Sequence, residues 1–321
     1  MKVGVFLAIY NNLPLEQALQ KLVDLRCDTV EIGAGAYPGD NHCNAAELLA
    51  DSKKLDVFTG AIKASGLEIS SLSCHGNPLH PNKAFAQSHH EAFENAVKLA
   101  GKLGVEVVTT FSGCPGDHPG AKYPNWVTCP WPGDFLEILK YQWDEVAIPY
   151  WKSQVKFAES HGVHKIALEM HPGFLAYNTE TMLKLRDATS HVLGANFDPS
   201  HLFWQGIDPI QSIRALEGSI HHVHAKDTGL YPVNADVNGY LDTKPYGDEK
   251  NRSWIFRTVG YGHGADFWAD FVSTLRMTGY DGAISMEHED SLMTAEEGLR
   301  KGVEFLHNIV LREPKGAVTW A

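Results

Sequence analysis

Nowhere in the 321 residues is there a run of roughly 20 apolar residues, the length a helix needs to cross a bilayer, which excludes a helical membrane protein. Basic residues are scarce. Lys and Arg number 27 against 39 Asp and Glu, a formal charge of −12 with no basic run, which argues against a nucleic-acid partner. The five cysteines, Cys27, Cys43, Cys74, Cys114 and Cys129, are odd in number and nowhere spaced as a zinc knuckle. The opening Met1-Lys2-Val3-Gly4-Val5-Phe6-Leu7 is too short for the apolar core of a secretory signal, so reduced thiols and a cytoplasmic protein are expected. The Gly-x-Gly-x-x-Gly of a dinucleotide fold is also missing. Gly33-Ala34-Gly35 follows a strand pattern, but Tyr37-Pro38-Gly39 interrupts it where a helix would have to open. With 44% hydrophobic and 21% charged residues, the composition excludes wholesale disorder.

What is present is a regular alternation. Short apolar runs at Val3–Ala8, Thr29–Gly33, Glu68–Cys74, Val105–Phe111, Lys165–Met170, Val192–Phe197, Ile220–Ala225 and Ala283–Glu287 read as strands punctuated by Gly and Pro. Between them lie helical stripes: Leu15, Ala18, Leu19, Leu22 and Val23 share one face, and Phe85, Phe93, Val97, Ala100 and Leu103 share another. A last helix is expected over Glu296–Leu306. Eight βα units without a linker predict one α/β domain over residues 1–321, a closed (β/α)8 TIM barrel rather than an open doubly wound sheet. Two connections exceed ordinary loop length, 112–133 after the fourth strand and 226–264 after the seventh. Both carry aromatic residues, among them Trp126, Trp131 and Trp254, and both belong to the C-terminal face of a barrel. There they serve as a lid or substrate wall, Trp126 being a candidate sugar contact, or as a subunit interface.

Polar residues gather where strands five to eight end. Strand five ends Leu168-Glu169-Met170-His171, strand six Asn196-Phe197-Asp198, strand seven His222-Val223-His224-Ala225-Lys226-Asp227, and strand eight Met286-Glu287-His288-Glu289. Because strand side chains alternate, Glu169, Asp198, His224 and Glu287 fall at equivalent heights around the mouth. Unpaired carboxylates are costly at the mouth of an apolar barrel, and a divalent cation removes that cost. Three carboxylates and one imidazole suit Mn²⁺, Mg²⁺ or Co²⁺, with Mn²⁺ leading and Zn²⁺ also compatible. The alternative is a buried ion-pair network in which Lys226 and neighbouring histidines neutralise the same acids. His75, ending the third strand in Cys74-His75-Gly76, is expected to line the pocket, and Glu31, ending the second, to contact a sugar hydroxyl or pair with a lysine. His171, Lys226 and Glu289 are expected to touch substrate, carry a proton or support the ligands.

The strand-five Glu, the Asp-x-x-His at Asp198 and His201, the His-x-Lys-Asp at His224 to Asp227 and the late Ser285-Met286-Glu287 together resemble the sugar phosphate isomerase/epimerase family of xylose-isomerase-like barrels. That family also holds ketose 3-epimerases, inosose dehydratases and type IV endonucleases, and the resemblance runs over nearly the whole chain. It implies one catalytic metal held by Glu169, Asp198, His224 and Glu287, with Glu169 and Glu287 as the proton-transferring pair. It also implies a substrate contact at His201 and a homo-oligomer. The endonuclease branch is disfavoured. Phe111-Ser112-Gly113-Cys114 stands where a histidine is expected, and Trp254-Ile255-Phe256-Arg257 where an Asp-x-His is expected.

A divalent ion beside two glutamates suits proton abstraction next to a carbonyl through an enediolate. The leading expectation is therefore a metal-dependent isomerase or epimerase acting on a ketose or keto-sugar. The alternatives are a lyase or dehydratase that completes the same first step by β-elimination from a 3-keto-glycoside or inosose, and a sugar-binding barrel without catalysis. No Gly-rich anion loop or Lys-rich cradle points to a phosphorylated substrate.

Overall fold

A computed structural model describes residues 1–317; residues 318–321 of the expected domain lie outside it. Eight parallel strands close into a barrel: β1 (Lys2–Phe6), β2 (Thr29–Gly33), β3 (Glu68–Ser73), β4 (Val107–Phe111), β5 (Lys165–Glu169), β6 (Leu193–Phe197), β7 (Ile220–Ala225) and, closing against β1, β10 (Ala283–Met286). Helices cross between them, as the sequence periodicity predicts, among them Leu15–Asp24, Lys83–Leu103 and Ala295–Ile309. Among the described residues no helix is long and apolar enough to cross a membrane.

The strand alternation sorts side chains into two shells. Val30, Ile32, Leu72, Val108, Ile166, Leu168, Val223 and Ile284 are fully buried in the main apolar core. Their alternating neighbours face inward and are polar: Glu31, Ser71, Ser73, Thr109, Asn196, His222, His224 and Ser285, all essentially unexposed. Glu31 on β2 bonds His224 on β7, although β1 and β10 stand between these strands, so the two meet through the barrel interior. The barrel is thus not the apolar tube with a polar rim that the strand ends suggest. Ser71 and Ser73 each lie 2.6 Å from Thr109, and this hydroxyl ladder satisfies the inward groups where layers of Val, Ile and Leu usually sit.

Both long connections are more ordered than loops. Segment 226–264 contains an antiparallel pair, β8 (Asp227–Leu230) and β9 (Trp254–Arg257), with a helix at Pro232–Asn238 between them. Trp254 and Phe256, loop aromatics by the sequence pattern, pack instead with Trp204 into a small second core in which the Trp204 and Trp254 rings stack 4.8 Å apart. Segment 112–133 is pinned by Gln142, whose side-chain amide donates to the carbonyls of Asn125 (2.7 Å), Pro115 and Gly116 (both 3.2 Å). Gln142 reaches them from a wide π turn, Tyr141–Ala147, inside the helical run that continues to Ser160.

Asp227 ties the second segment down. Its buried carboxylate accepts from the backbone N–H of Thr228, Gly260, Gly262 and His263 and from the ring N–H groups of His263 and Trp268, at 2.8–3.2 Å. The turn wraps so closely that a Cβ on Gly262 would stand 2.4 Å from the Thr228 carbonyl oxygen, which is why glycine is required there. Asp227→Ala orphans these buried donors, and the expected loss is about 3–5 kcal/mol of stability. Asp227→Asn, which keeps one acceptor oxygen, should lose less. Urea unfolding of the two variants checks both the size and the order.

Candidate metal centre

Glu169 stands at the end of β5, Asp198 just past β6, His224 on β7 and Glu287 just past β10. Each of the four offers a ligand atom, and these atoms all lie within 4.8 Å of one another. His224 Nδ1 is 3.3 Å from Glu169 Oε2 and 3.2 Å from Glu287 Oε2. Asp198 is aimed by the backbone N–H of Ser200, which donates to its Oδ1 at 2.8 Å and leaves Oδ2 facing the others. Strand stagger brings the set together: in the ladder Glu169 pairs with Asn196, and Asn196 with His222, so equal height in the barrel is not equal register.

Two observations fit this set to a divalent cation. His224 Nδ1 and Asp198 Oδ2 are buried and have no hydrogen-bond partner despite their close neighbours. Atoms that converge without aligning their protons and lone pairs are arranged as ligands around a common centre. The other nitrogen of His224, Nε2, lies 2.9 Å from Glu31 Oε2. A carboxylate only accepts, so Nε2 carries a proton and Nδ1 is the nitrogen turned to the centre, where it would present a lone pair once a cation displaces its own proton; this is the carboxylate–imidazole pairing that orients metal-binding histidines.

Glu31 therefore does not meet a sugar hydroxyl. It is fully buried beneath the centre, its oxygens taken by His224, Ser73 and Thr109. Nothing in Val30-Glu31-Ile32 announces this, because the partner lies 193 residues further along the chain.

The electrostatics arise from these contacts. Burial alone would raise the Glu169 carboxyl, but His75, with its Nε2 3.0 Å away, and then His201 and His224 hold it well below the usual range. Burial likewise opposes ionisation of Glu287, yet Lys226 and His224 bring it down to about 2. Asp198 goes the other way: burial raises it in spite of Lys226 and His201. His224 is held protonated well above its ordinary value, against its burial, by Glu31, Glu169 and Glu287. Burial and the facing His201 push His171 down to about 3, so it is neutral.

The mouth opens into a cavity of about 370 Å³. Phe6, Tyr37, Pro38 and Phe111 supply its apolar lining, and His75, Glu169, His171, Lys226, Glu287 and Glu289 its polar lining. His75, His171 and Lys226 thus line the cavity. His201 sits beside the ligand set, its Nε2 3.2 Å from Glu169 and 3.3 Å from Asp198. Trp126 is not part of the lining; it packs edge-on against Tyr177 at 5.4 Å. The apolar wall comes instead from β1 and the 34–39 turn, whose Tyr37-Pro38 is the signal that could have marked it. Lys226 donates to Glu287 at 3.0 Å and Glu289 at 2.8 Å and lies 4.4 Å from the centre of the Phe256 ring. A depression of about 660 Å³ lies at the other end of the barrel, with Ser70 and His222 among its lining residues.

The chain belongs to the xylose-isomerase-like TIM-barrel family, whose model matches residues 19–309. It is 42% identical to YfiH, an uncharacterized protein of Bacillus subtilis strain 168, over 97% of this chain and 99% of that one. Among solved structures it resembles a D-tagatose 3-epimerase-like protein (22% identity, TM-score 0.64, 96% of this chain and 98% of that one). It also resembles the IolI protein with a binding zinc atom (19% identity, TM-score 0.67, 97% and 98%).

Because a cation must displace the proton that the acids hold on His224, Mn²⁺ affinity is expected to rise with pH, about tenfold per unit where one proton is released. Isothermal titration in buffers of unlike ionisation enthalpy counts that proton, and binding without release would remove His224 from the ligand set. Glu31→Gln is expected to weaken Mn²⁺ binding about 10- to 100-fold while the far-UV circular dichroism stays unchanged.

Proposed function

We propose that the protein is a divalent-metal-dependent isomerase or epimerase of a ketose or keto-sugar, holding one ion, Mn²⁺ foremost, on Glu169, Asp198, His224 and Glu287. One observation carries this reading: two carboxylates held ionised, Glu169 and Glu287, flank one imidazole and face a single cavity. When bound, the ion supplies positive charge against the negative charge that develops on substrate oxygens as a carbon acid ionises.

The remaining work falls to the chain. One glutamate accepts the proton from the carbon beside the carbonyl and the other returns a proton, to the opposite face in epimerisation or to the neighbouring carbon in isomerisation. Lys226 holds Glu287 in place and keeps it ionised until it is needed. Neutral His171 offers a ring nitrogen to substrate hydroxyls, and His75 lines the same cavity beside Glu169. Phe6, Tyr37 and Phe111 present apolar faces on which the C–H side of a sugar packs.

The test is deuterium uptake from D₂O, followed by NMR, with Mn²⁺-loaded protein and a panel of ketoses, inososes and 3-keto-glycosides. Metal-dependent exchange with appearance of a second sugar isomer is the expected result. Release of water or an aglycone from the same panel would make the protein a lyase, and an unreactive panel with bound sugar would leave a binding barrel. Glu287→Gln is expected to lower turnover at least 100-fold with the fold intact, since it removes the group that transfers the proton. Full activity in that variant would take Glu287 out of the mechanism.

A further inference from the structure

Below the metal centre the barrel interior contains a line of side chains that reaches Glu169 from the opposite end. Asn196, on β6, places its amide nitrogen 3.2 Å from Glu169 Oε2. Its amide oxygen lies 3.0 Å from His222 Nδ1, and His222 Nε2 lies 3.4 Å from Ser70 Oγ. Asn196 is unexposed and His222 is 1% exposed, so neither trades these partners for water.

The chemistry of the groups fixes the direction of the two bonds nearest Glu169. Ionised Glu169 only accepts, so the Asn196 atom facing it is the NH₂ and the atom facing His222 is the carbonyl oxygen. An amide oxygen also only accepts, so His222 Nδ1 must carry a proton. Each link donates to the next, and the last donor falls on the oxygen of Glu169 that also faces His224 and His75.

We infer that Asn196 and His222 are positioning residues for Glu169: Asn196 occupies one lone pair of Oε2 and sets the carboxylate's rotation, while His222 dictates which way the Asn196 amide points. This rests on the reading of Glu169 as a working carboxylate of the metal centre. Glu31 does the same for His224 from the neighbouring position, so two of the four ligands are aimed from within the barrel.

The experiment compares Mn²⁺ affinity by isothermal titration and the deuterium-exchange rate in Asn196→Leu, His222→Leu and His222→Asn, with thermal melts of each. Asn196→Leu and His222→Leu are expected to weaken Mn²⁺ binding about 10- to 100-fold, the loss typical when a ligand's supporting partner is removed. His222→Asn carries an amide N–H close to where Nδ1 stood and is expected to recover most of the affinity. Unchanged Mn²⁺ affinity in a folded His222→Leu or Asn196→Leu protein overturns the inference. So does equal loss in His222→Leu and His222→Asn, which would show that the volume of the ring matters and its donor does not. If the variants lose affinity as expected while the wild type exchanges no proton with any sugar of the panel, the positioning role stands and the isomerase reading fails.

Discussion

The hydrogen bond between His224 and Glu31 is the contact around which the site is arranged. It puts an ionised carboxylate in the middle of a barrel, where an unpaired charge would cost several kcal/mol. The surrounding layers answer that cost. Ser73 and Thr109 donate to Glu31, Ser71 joins their hydroxyl chain, and His222 approaches from below. Once Glu31 is satisfied, His224 has its tautomer and the upper face of its ring is left for the acids of the mouth. The polar interior of the barrel is therefore a connected hydrogen-bonded layer beneath the proposed metal centre rather than a defect in its packing. Cohesion is supplied by the outer faces of the strands, where Ile166, Leu168, Val223 and Ile284 meet the helices.

The same logic explains why the site is legible at the ends of strands five to eight and obscure elsewhere. Glu169, Asp198, His224 and Glu287 each break an apolar run at the C-terminal end of a strand, and period-two alternation places them on one side. Local pattern is enough to collect the four residues proposed as ligands, whose ligand atoms converge in the structure. Glu31 also breaks an apolar run, but its role depends on what lies across the barrel, and strand alternation carries no information about that. Asn196 and His222 sit two residues before Asp198 and His224, so the same alternation puts them inside the barrel beneath the ligands. The small sheet within 226–264 is hidden for another reason. Trp254-Ile255-Phe256-Arg257 has the aromatic and β-branched residues of a strand, yet it lies within a strand-to-helix connection, where a second sheet is not expected.

His224-Ala225-Lys226-Asp227 shows how four consecutive residues divide their labour. Lys226 comes two residues after His224 and shares its side, so its ammonium enters the mouth between Glu287 and Glu289. Asp227 points the other way and leaves the chemistry, gathering the turn 260–263 and Trp268 instead. The two charges do different kinds of work: the lysine keeps Glu287 ionised, and the aspartate holds the turn of the segment that carries Phe256. Phe256 joins the two, because it belongs to the segment anchored by Asp227 and its ring lies beneath the Lys226 ammonium.

That coupling bears on which reaction the site would run. In the proposed reaction, proton removal beside a carbonyl would need the two glutamates and the charge an ion would bring, and those glutamates stand at strand ends supported from within the barrel. The product then depends on the fate of the carbanion: reprotonation gives an isomer, and expulsion of a neighbouring group gives elimination. The strand residues do not distinguish these outcomes, since Glu169 and Glu287 in their proposed roles would serve either. The residues that can are those which fix the substrate's orientation and the position of a returning proton, namely Tyr37 and Pro38 after β2, Phe111 at the end of β4, and Lys226 with Glu289 at the rim. Divergence among barrels of this kind then requires no change to the ligands, only to the wall that faces them.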